Sequence, residues 1–263
     1  MGHPKDTYSL VADIGGTNTR VALADGRQIV EGTIRRYRNT EFPGLESVLT
    51  RYVSDEGGVD PIAACVAVAG PVRDGRATMT NLDWAIDKDT LARATKAETV
   101  AILNDLQAQG HALGHIDPAN IRTILPGPDS TQNAAKLVVG VGTGFNAAPV
   151  YDLNQGRIVT PSESGHANLP IRNEMELRLC QFVSTAHGFP AVEDVLSGRG
   201  LERVYAFLGQ EADDPRESAA QEIMEACADG SDPRAVAAAQ LFTRILGTVC
   251  GNLSLIQLPF GGI

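Results

Sequence analysis

Apolar and polar positions divide the chain into short blocks. Tyr8 to Ala12 and Val21 to Ala24 are apolar runs on either side of Asp13-Ile14-Gly15-Gly16-Thr17-Asn18-Thr19-Arg20. That pattern predicts a hairpin, with strands over 8–12 and 20–24 and a tight Gly-Gly turn between them. Gln28 to Arg36 reads as a third strand. Phe42, Leu45, Val48, Leu49 and Tyr52 recur at helical spacing, so Phe42 to Asp55 is an amphipathic helix ended by Gly57-Gly58. Ile62 to Val68 is a continuous apolar run of strand length, the pattern of a strand buried on both faces. Arg76 to Met79 is short and extended. Asp87 to Lys96 is a short helix with Asp87 as its cap, Thr99 to Leu103 a further buried strand, and Leu106 to Leu113 a helix. Strand-rich first and alternating later, this is an α/β layout.

The pattern then starts again. Lys136 to Val141 is apolar, Gly142-Thr143-Gly144-Phe145-Asn146 turns, and Ala147 to Tyr151 continues as a strand ending in Asp152. The opening stretch has the same order of apolar run, Gly/Thr turn with an Asn, apolar run and Asp. This weak internal repeat implies a duplicated hairpin, one per domain. Pro149 has no N–H to give a ladder, so the second strand of this copy is expected to be irregular or at an edge. After Pro161 helices dominate: Glu174 to Thr185, Ala191 to Leu196, Gly200 to Leu208, Glu217 to Ala228, and a long apolar one over Ala235 to Ile256. Gly247 and Gly251 in the last are read as sites of close packing.

Charge narrows the functional classes. Asp and Glu number 32 against 22 Lys and Arg, a net charge of −10, and basic residues cluster only at Arg35-Arg36 with Arg38. Nucleic-acid binders carry a basic face, so that class is set aside. Cys65, Cys180, Cys227 and Cys250 are far apart in apolar or helical patterns. They read as buried free thiols of a reducing compartment, with no metal-knuckle spacing. No apolar run approaches the length of a membrane span, and the first residues lack a signal-peptide core. A cytoplasmic enzyme is the expectation.

The Gly-Gly turn carries the first candidate chemistry. Glycines let a ligand approach the main chain, and N–H groups crowded at such a turn cradle anions. Asp13, at the end of the first strand, could hold a metal directly or through water. Taken alone the stretch is more simply an ordinary hairpin capping a sheet. Asp105 sits at a strand-to-helix junction, where ligand sites of α/β sheets lie; the bland alternative is a cap for the helix from Leu106. Glu163 and His166, three apart in a Gly-containing loop, suit the vicinal hydroxyls of a sugar. Glu193 opens a helix, where an acid is stabilising in any case. Trp84 reads as core.

Taken together these residues resemble the bacterial hexokinase-type glucokinases, of the superfamily of sugar kinases, chaperone ATPases and actin. The matching pieces are Asp13 to Arg20, Val68 to Val72, Thr80 to Trp84, Leu103 to Asp105, Gly142 to Gly144, Glu163 to His166 and Glu193 to Gly198, in the family's order across nearly the whole chain. The resemblance implies a two-domain actin-like (ribonuclease H-like) ATPase fold with a central cleft. A small α/β domain over 1–108 would carry the first phosphate hairpin, and a larger one over 109–263 the second hairpin, the sugar loop and the helices. It implies ATP-dependent phosphorylation of glucose at its 6-hydroxyl, a glycolytic reaction, with Asp105 as general base. Asn81, Asn104, Glu163, His166 and Glu193 would join Asp105 in binding the sugar. Asp13, Gly15, Gly16, Thr17, Asn18, Gly142, Thr143 and Gly144 would bind the nucleotide, Asp13 orienting Mg²⁺ through water. Relatives are often dimers, so a homodimer is expected too. A zinc-bearing related group has a cysteine cluster after a similar Glu-x-Gly-His; none follows here, so zinc is set aside.

Three features depart from the family pattern. Phe145-Asn146 stands where the family usually has Leu-Gly. The sugar loop is Ser162-Glu163-Ser164-Gly165-His166 in place of Gly-Glu-Gly-Gly-His, which is expected to stiffen the loop or alter hexose preference. The chain ends at Gly261-Gly262-Ile263, where the family continues with a strand, a Gly-Gly adenosine motif and closing helices. The second domain is therefore expected to be incomplete. A sugar- or nucleotide-binding relative without catalysis and an actin-like ATPase stand as the competing readings.

Overall fold

The computed structural model describes residues 7–79, 82–184 and 188–263. The chain divides into two compact units, 1–123 and 124–263. The division falls later than the 108/109 boundary expected from the sequence, which would have cut through a helix.

The first unit opens with β1 (Ser9–Ile14) and β2 (Asn18–Asp25), antiparallel as the sequence pattern predicts. The expected third strand is two short ones, β3 (Gln28–Ile29) and β4 (Arg35–Arg38). Gly32 adopts a positive φ of 78°, and the Thr33 hydroxyl donates to the Val30 carbonyl, so a turn interrupts the run. After α1 (Leu45–Asp55) come β5 (Ala63–Val68), β6 (Val72–Arg73), β7 (Arg76–Met79), β8 (Leu82–Asp87), α2 (Lys88–Thr95), β9 (Thr99–Asn104) and α3 (Asp105–Ala112). The main sheet runs β3-β2-β1-β5-β9, with β4 also on β2, and β5 lies parallel to both β1 and β9. β6, β7 and β8 form a separate antiparallel sheet.

Alternation on β1 and β5 places the core. Leu10, Ala12, Ile14, Ala64, Val66 and Val68 are buried on one face with Leu45, Val48, Leu49 and Tyr52 of α1. Each such Leu or Ile contributes about 1.5–3 kcal/mol by leaving water. β5 is not buried on both faces as expected. Ala63, Cys65 and Ala67 are only half-buried, and as small residues they leave that face thinly covered. Trp84 is core, as expected. Asp87 caps α2, its carboxylate accepting from the Thr90 N–H at 2.8 Å.

The second unit begins with β10 (Lys136–Val141), β11 (Phe145–Leu153) and β12 (Gly156–Val159), an antiparallel sheet in that order. β11 is thus the middle strand, not the edge that Pro149 led us to expect. Register explains why. Pro149 pairs with Leu137, whose N–H turns outward to the Gly262 carbonyl, so the pair exchanges no ladder bond and loses none. The Pro149 carbonyl accepts from the Thr160 N–H, just past the end of β12. Among the described residues four α-helices follow: α4 (Glu174–Val183), α5 (Gly198–Glu211), α6 (Ala220–Asp229) and α7 (Pro233–Gln257). Their apolar faces meet in a second core of Leu179, Val183, Val204, Phe207, Leu241 and Ile245, joined by Phe145. Gly247 and Gly251 do not serve close packing, since a Cβ at either would meet nothing within 4 Å. The four cysteines are free thiols, but only Cys180 is fully buried. Among the described residues no helix is long and apolar enough to cross a membrane.

Candidate functional site

The candidate residues of the first unit gather at the carboxyl ends of β1 and β9. Asp13 pairs with Ala67, and Ala67 with Leu103, so the three lie in register across β1, β5 and β9. Asp13 is exposed while Leu10, Ala12 and Ile14 are buried, so its side chain points to the face opposite the core. Arg20, its partner across the hairpin, holds its guanidinium 3.8 Å from the Asp13 carboxylate. The turn closes through the Gly15 N–H on the Asn18 carbonyl at 3.0 Å, and Gly16 and Thr17 are exposed at its tip.

What holds that turn in place is Asn39, a residue the sequence pattern did not single out. Asn39 is 1% exposed. Its Nδ2 donates to the Gly15 carbonyl at 2.7 Å, its Oδ1 accepts from the Thr19 hydroxyl at 2.8 Å, and its N–H donates to the Thr17 carbonyl at 3.0 Å. A buried amide with these partners fixes both rims of the turn. No local signal marks it, because its partners lie 20 and 24 residues away.

Asn104 and Asp105 share the junction of β9 and α3. The helix cap is Asn104, not Asp105: the Asn104 Oδ1 accepts from the Gln107 N–H at 2.6 Å, and the Gln107 Oε1 accepts from the Asn104 N–H at 3.1 Å. This reciprocal box releases Asp105 from the capping role its position suggested. Asp105 is the first residue of α3, just past the end of β9, and lies near enough to Asp13 to feel its charge. Burial pushes its carboxyl pKa above the ordinary carboxylate range. The Leu106 N–H at 2.8 Å opposes that shift, and the Asp13 charge adds to it. A half-buried carboxylate that holds its proton more tightly than usual makes a better base once ionised.

The candidate residues of the second unit gather around the turn between β10 and β11. The Gly142 N–H donates to the Gly144 carbonyl at 2.9 Å, and the Gly142 carbonyl accepts from the Gly198 N–H at 2.8 Å, at the start of α5. Ser197 caps that helix, accepting from the Gly200 N–H at 2.9 Å. Glu193 does not open an α-helix as expected; it lies in a 3-10 turn, Val192–Asp194, ahead of α5. There it touches both neighbouring loops. A Cβ on Gly144 would sit 2.9 Å from Glu193 Oε2, and His166 Nε2 lies 3.4 Å from Glu193 Oε1. Glu163 and His166 bracket one turn, the His166 N–H donating to the Glu163 carbonyl at 3.0 Å, and both side chains are exposed. Gly165, between them, is buried against β11; a Cβ there would lie 2.1 Å from the Phe145 carbonyl oxygen. Only glycine lets the loop approach so closely.

Gly144, Glu163, His166 and Glu193 are thus brought together in the second unit, and Asp13, Gly15 to Asn18, Asn104 and Asp105 in the first. Asn81 lies outside the described residues.

Each unit thus carries a glycine hairpin with candidate polar side chains close by, and the comparisons give the class: a sugar kinase. The chain's relatives say which kind. The profile of the family Glucokinase matches residues 10–263. A glucokinase of Saccharophagus degradans is 31% identical over 258 residues, 97% of this chain and 80% of that one. The crystal structure of a glucokinase from an Antarctic psychrotroph superposes with a TM-score of 0.82 at 28% identity, covering 98% of this chain and 82% of that one. A ROK family glucokinase from Streptomyces griseus, in complex with glucose and AMPPNP, shares the fold at a TM-score of 0.60 and 21% identity, covering 96% of this chain and 80% of that one. The chain belongs to the glucokinase family and has its actin-like fold.

Proposed function

We propose that this chain phosphorylates glucose at its 6-hydroxyl with ATP, using Asp105 as the general base. The observation that carries the assignment is Asp105 itself: half-buried at the β9–α3 junction, released from the cap by Asn104, and raised in pKa by burial and by the nearby Asp13 charge. In this reading the ionised Asp105 takes the proton of the 6-hydroxyl as its oxygen bonds to the γ-phosphorus. The bond from that phosphorus to the bridging β-phosphate oxygen breaks, and ADP leaves. Glu163, His166 and Glu193 hold the other hydroxyls, the carboxylates accepting and the imidazole serving either way. The Asn104 Oδ1 is occupied by its cap, so its contribution to the sugar would come through Nδ2. Asn81 belongs to the same sugar-binding set.

The exposed tip at Gly16 and Thr17, with Gly15 and Asn18 closing the turn, suits the transferring phosphate. Gly142, Thr143 and Gly144 suit the other phosphates. Mg²⁺ neutralises phosphate charge when bound. Among the described residues no cluster of three or more metal-ligating side chains occurs. Asp13 would orient the ion through water. We place the reaction in the cytoplasm, where ATP is supplied.

The test is a coupled assay for ADP with glucose as acceptor, comparing the wild-type chain with Asp105→Ala. Glucose-dependent ADP formation that falls about 10²–10⁴-fold in the variant is expected. Equal rates would overturn the assignment of the base.

A further inference from the structure

We infer that Asn146 is a positioning residue that clamps the sugar loop to β11 and sets the affinity of the site for its hexose. The inference rests on the kinase reading above. It starts from where the Asn146 side chain goes. Its Oδ1 accepts from the Ser164 N–H at 3.0 Å and from the N–H of Ala147 at 2.8 Å. Two main-chain N–H groups aimed at one atom require that atom to be the oxygen, which fixes the orientation of the amide. Its Nδ2 then faces the Ser162 carbonyl, which can only accept, at 2.5 Å. The two serine hydroxyls complete the cluster. Ser162 Oγ lies 2.5 Å from the Ala147 carbonyl and 3.1 Å from Asn146 Oδ1, and Ser164 Oγ lies 3.1 Å from the same oxygen. The residue between the two serines is Glu163.

One amide thus ties down the main chain on both sides of a sugar-binding carboxylate. Asn146 stands on β11, paired with Gly140, so the anchor belongs to a sheet and not to another loop. Gly165 adds a third fixed point by its contact with the Phe145 carbonyl. The cluster joins three of the four residues by which these two segments depart from the family pattern, Asn146, Ser162 and Ser164; the fourth is Phe145. Each of the three would be a glycine in that pattern, and glycine has no side chain with which to make any of these bonds. A glycine loop must be ordered when the sugar arrives, and that ordering subtracts from affinity. Here the loop is ordered beforehand, so removing the clamp should raise KM for glucose and leave the chemical step alone.

Two variants and two readouts test this. Asn146→Ala removes every bond between the amide and the loop, leaving the Ser162 hydroxyl on the Ala147 carbonyl; Ser164→Ala removes one hydroxyl and keeps its N–H. Hydrogen exchange of the peptide spanning 162–166, measured without any hexose, is expected to quicken about tenfold in Asn146→Ala and less in Ser164→Ala. In the coupled assay KM for glucose is expected to rise about tenfold in Asn146→Ala and two- to threefold in Ser164→Ala, with kcat within about twofold of wild type. Exchange unchanged in a folded Asn146→Ala would overturn the clamp. A fall in kcat at constant KM would overturn its role in affinity. A wild-type chain that turns over no hexose would end the kinase reading and the sugar role together, while the exchange experiment would still report on the clamp alone.

Discussion

The two hairpins carry the same motif on different supports. The first, between β1 and β2, sits in a mixed sheet and is held from outside by one buried residue, Asn39, whose side-chain amide binds Gly15 and Thr19 and whose main-chain N–H binds Thr17. The second, between β10 and β11, sits in a three-stranded antiparallel sheet and is held by main chain and by close approach. Gly198 at the start of α5 binds the Gly142 carbonyl, Glu193 lies against Gly144, and Gly165 lies against Phe145. The difference follows from what each turn has for neighbours. Around the first, the candidate groups are a carboxylate on β1 and another just past β9, and the exposed tip is the part proposed for phosphate. Around the second, the groups proposed for phosphate and for sugar share contacts through Glu193 and Gly165.

If that contrast is right, a lesion in each support should have a different signature. The largest effect is expected from Gly165→Ala. Its Cβ would meet backbone, which cannot swing aside, so a stability loss of about 1–3 kcal/mol by urea unfolding should accompany a marked loss of glucose affinity by calorimetry. A variant with wild-type glucose affinity would show that the loop does not need its contact with β11. Asn39→Ala comes next. Stripping the Gly15 carbonyl and the Thr19 hydroxyl of a buried partner should cost about 1–3 kcal/mol and raise KM for ATP, with glucose affinity in the absence of nucleotide unchanged. A matching change in glucose affinity would dissolve the distinction between the hairpins.

The smallest effect expected is a dependence on pH. The Asp105 pKa is raised by burial, so the folded chain holds that proton more tightly than the unfolded one. Between the ordinary and the raised value, stability therefore falls as pH rises. Asp105→Asn should remove that slope and be at least as stable as wild type at neutral pH, read from thermal unfolding across a pH series. In the wild type, kcat/KM should fall as pH drops through the raised value, because the base must be ionised to act. An Asp105→Asn variant less stable than wild type at neutral pH would contradict the burial assigned to the carboxylate.

The tips of both hairpins, the ends of most strands and the residues at the β9–α3 junction were legible in the sequence, because each is local. A Gly-Gly pair between apolar runs, or an Asn-Asp pair after one, announces itself within a few positions. Supports were not legible. Asn39 reaches back over 20 residues and Asn146 forward to Ser162 and Ser164, and a single sequence carries no sign of such pairings. The serines of the sugar loop were visible as departures from the family pattern, but only the fold shows that Asn146 answers them. Pro149 misled for a related reason. Whether a proline costs a ladder bond depends on which side its missing N–H would face, and that is set by register with β10 and β12. For Asp105 and Glu193 a helix-terminal role was the alternative to a sugar-site role, and the caps belong to Asn104 and Ser197.

The most direct measurement compares binding with turnover in Asp105→Asn. Glucose affinity by calorimetry should stay within about threefold of wild type, since the isosteric amide keeps most contacts, while kcat should fall about 10²–10⁴-fold with the loss of the base. An Asp105→Asn chain that phosphorylates glucose at the wild-type rate would contradict the role of this carboxylate and with it the assignment of the reaction to this face of the sheet.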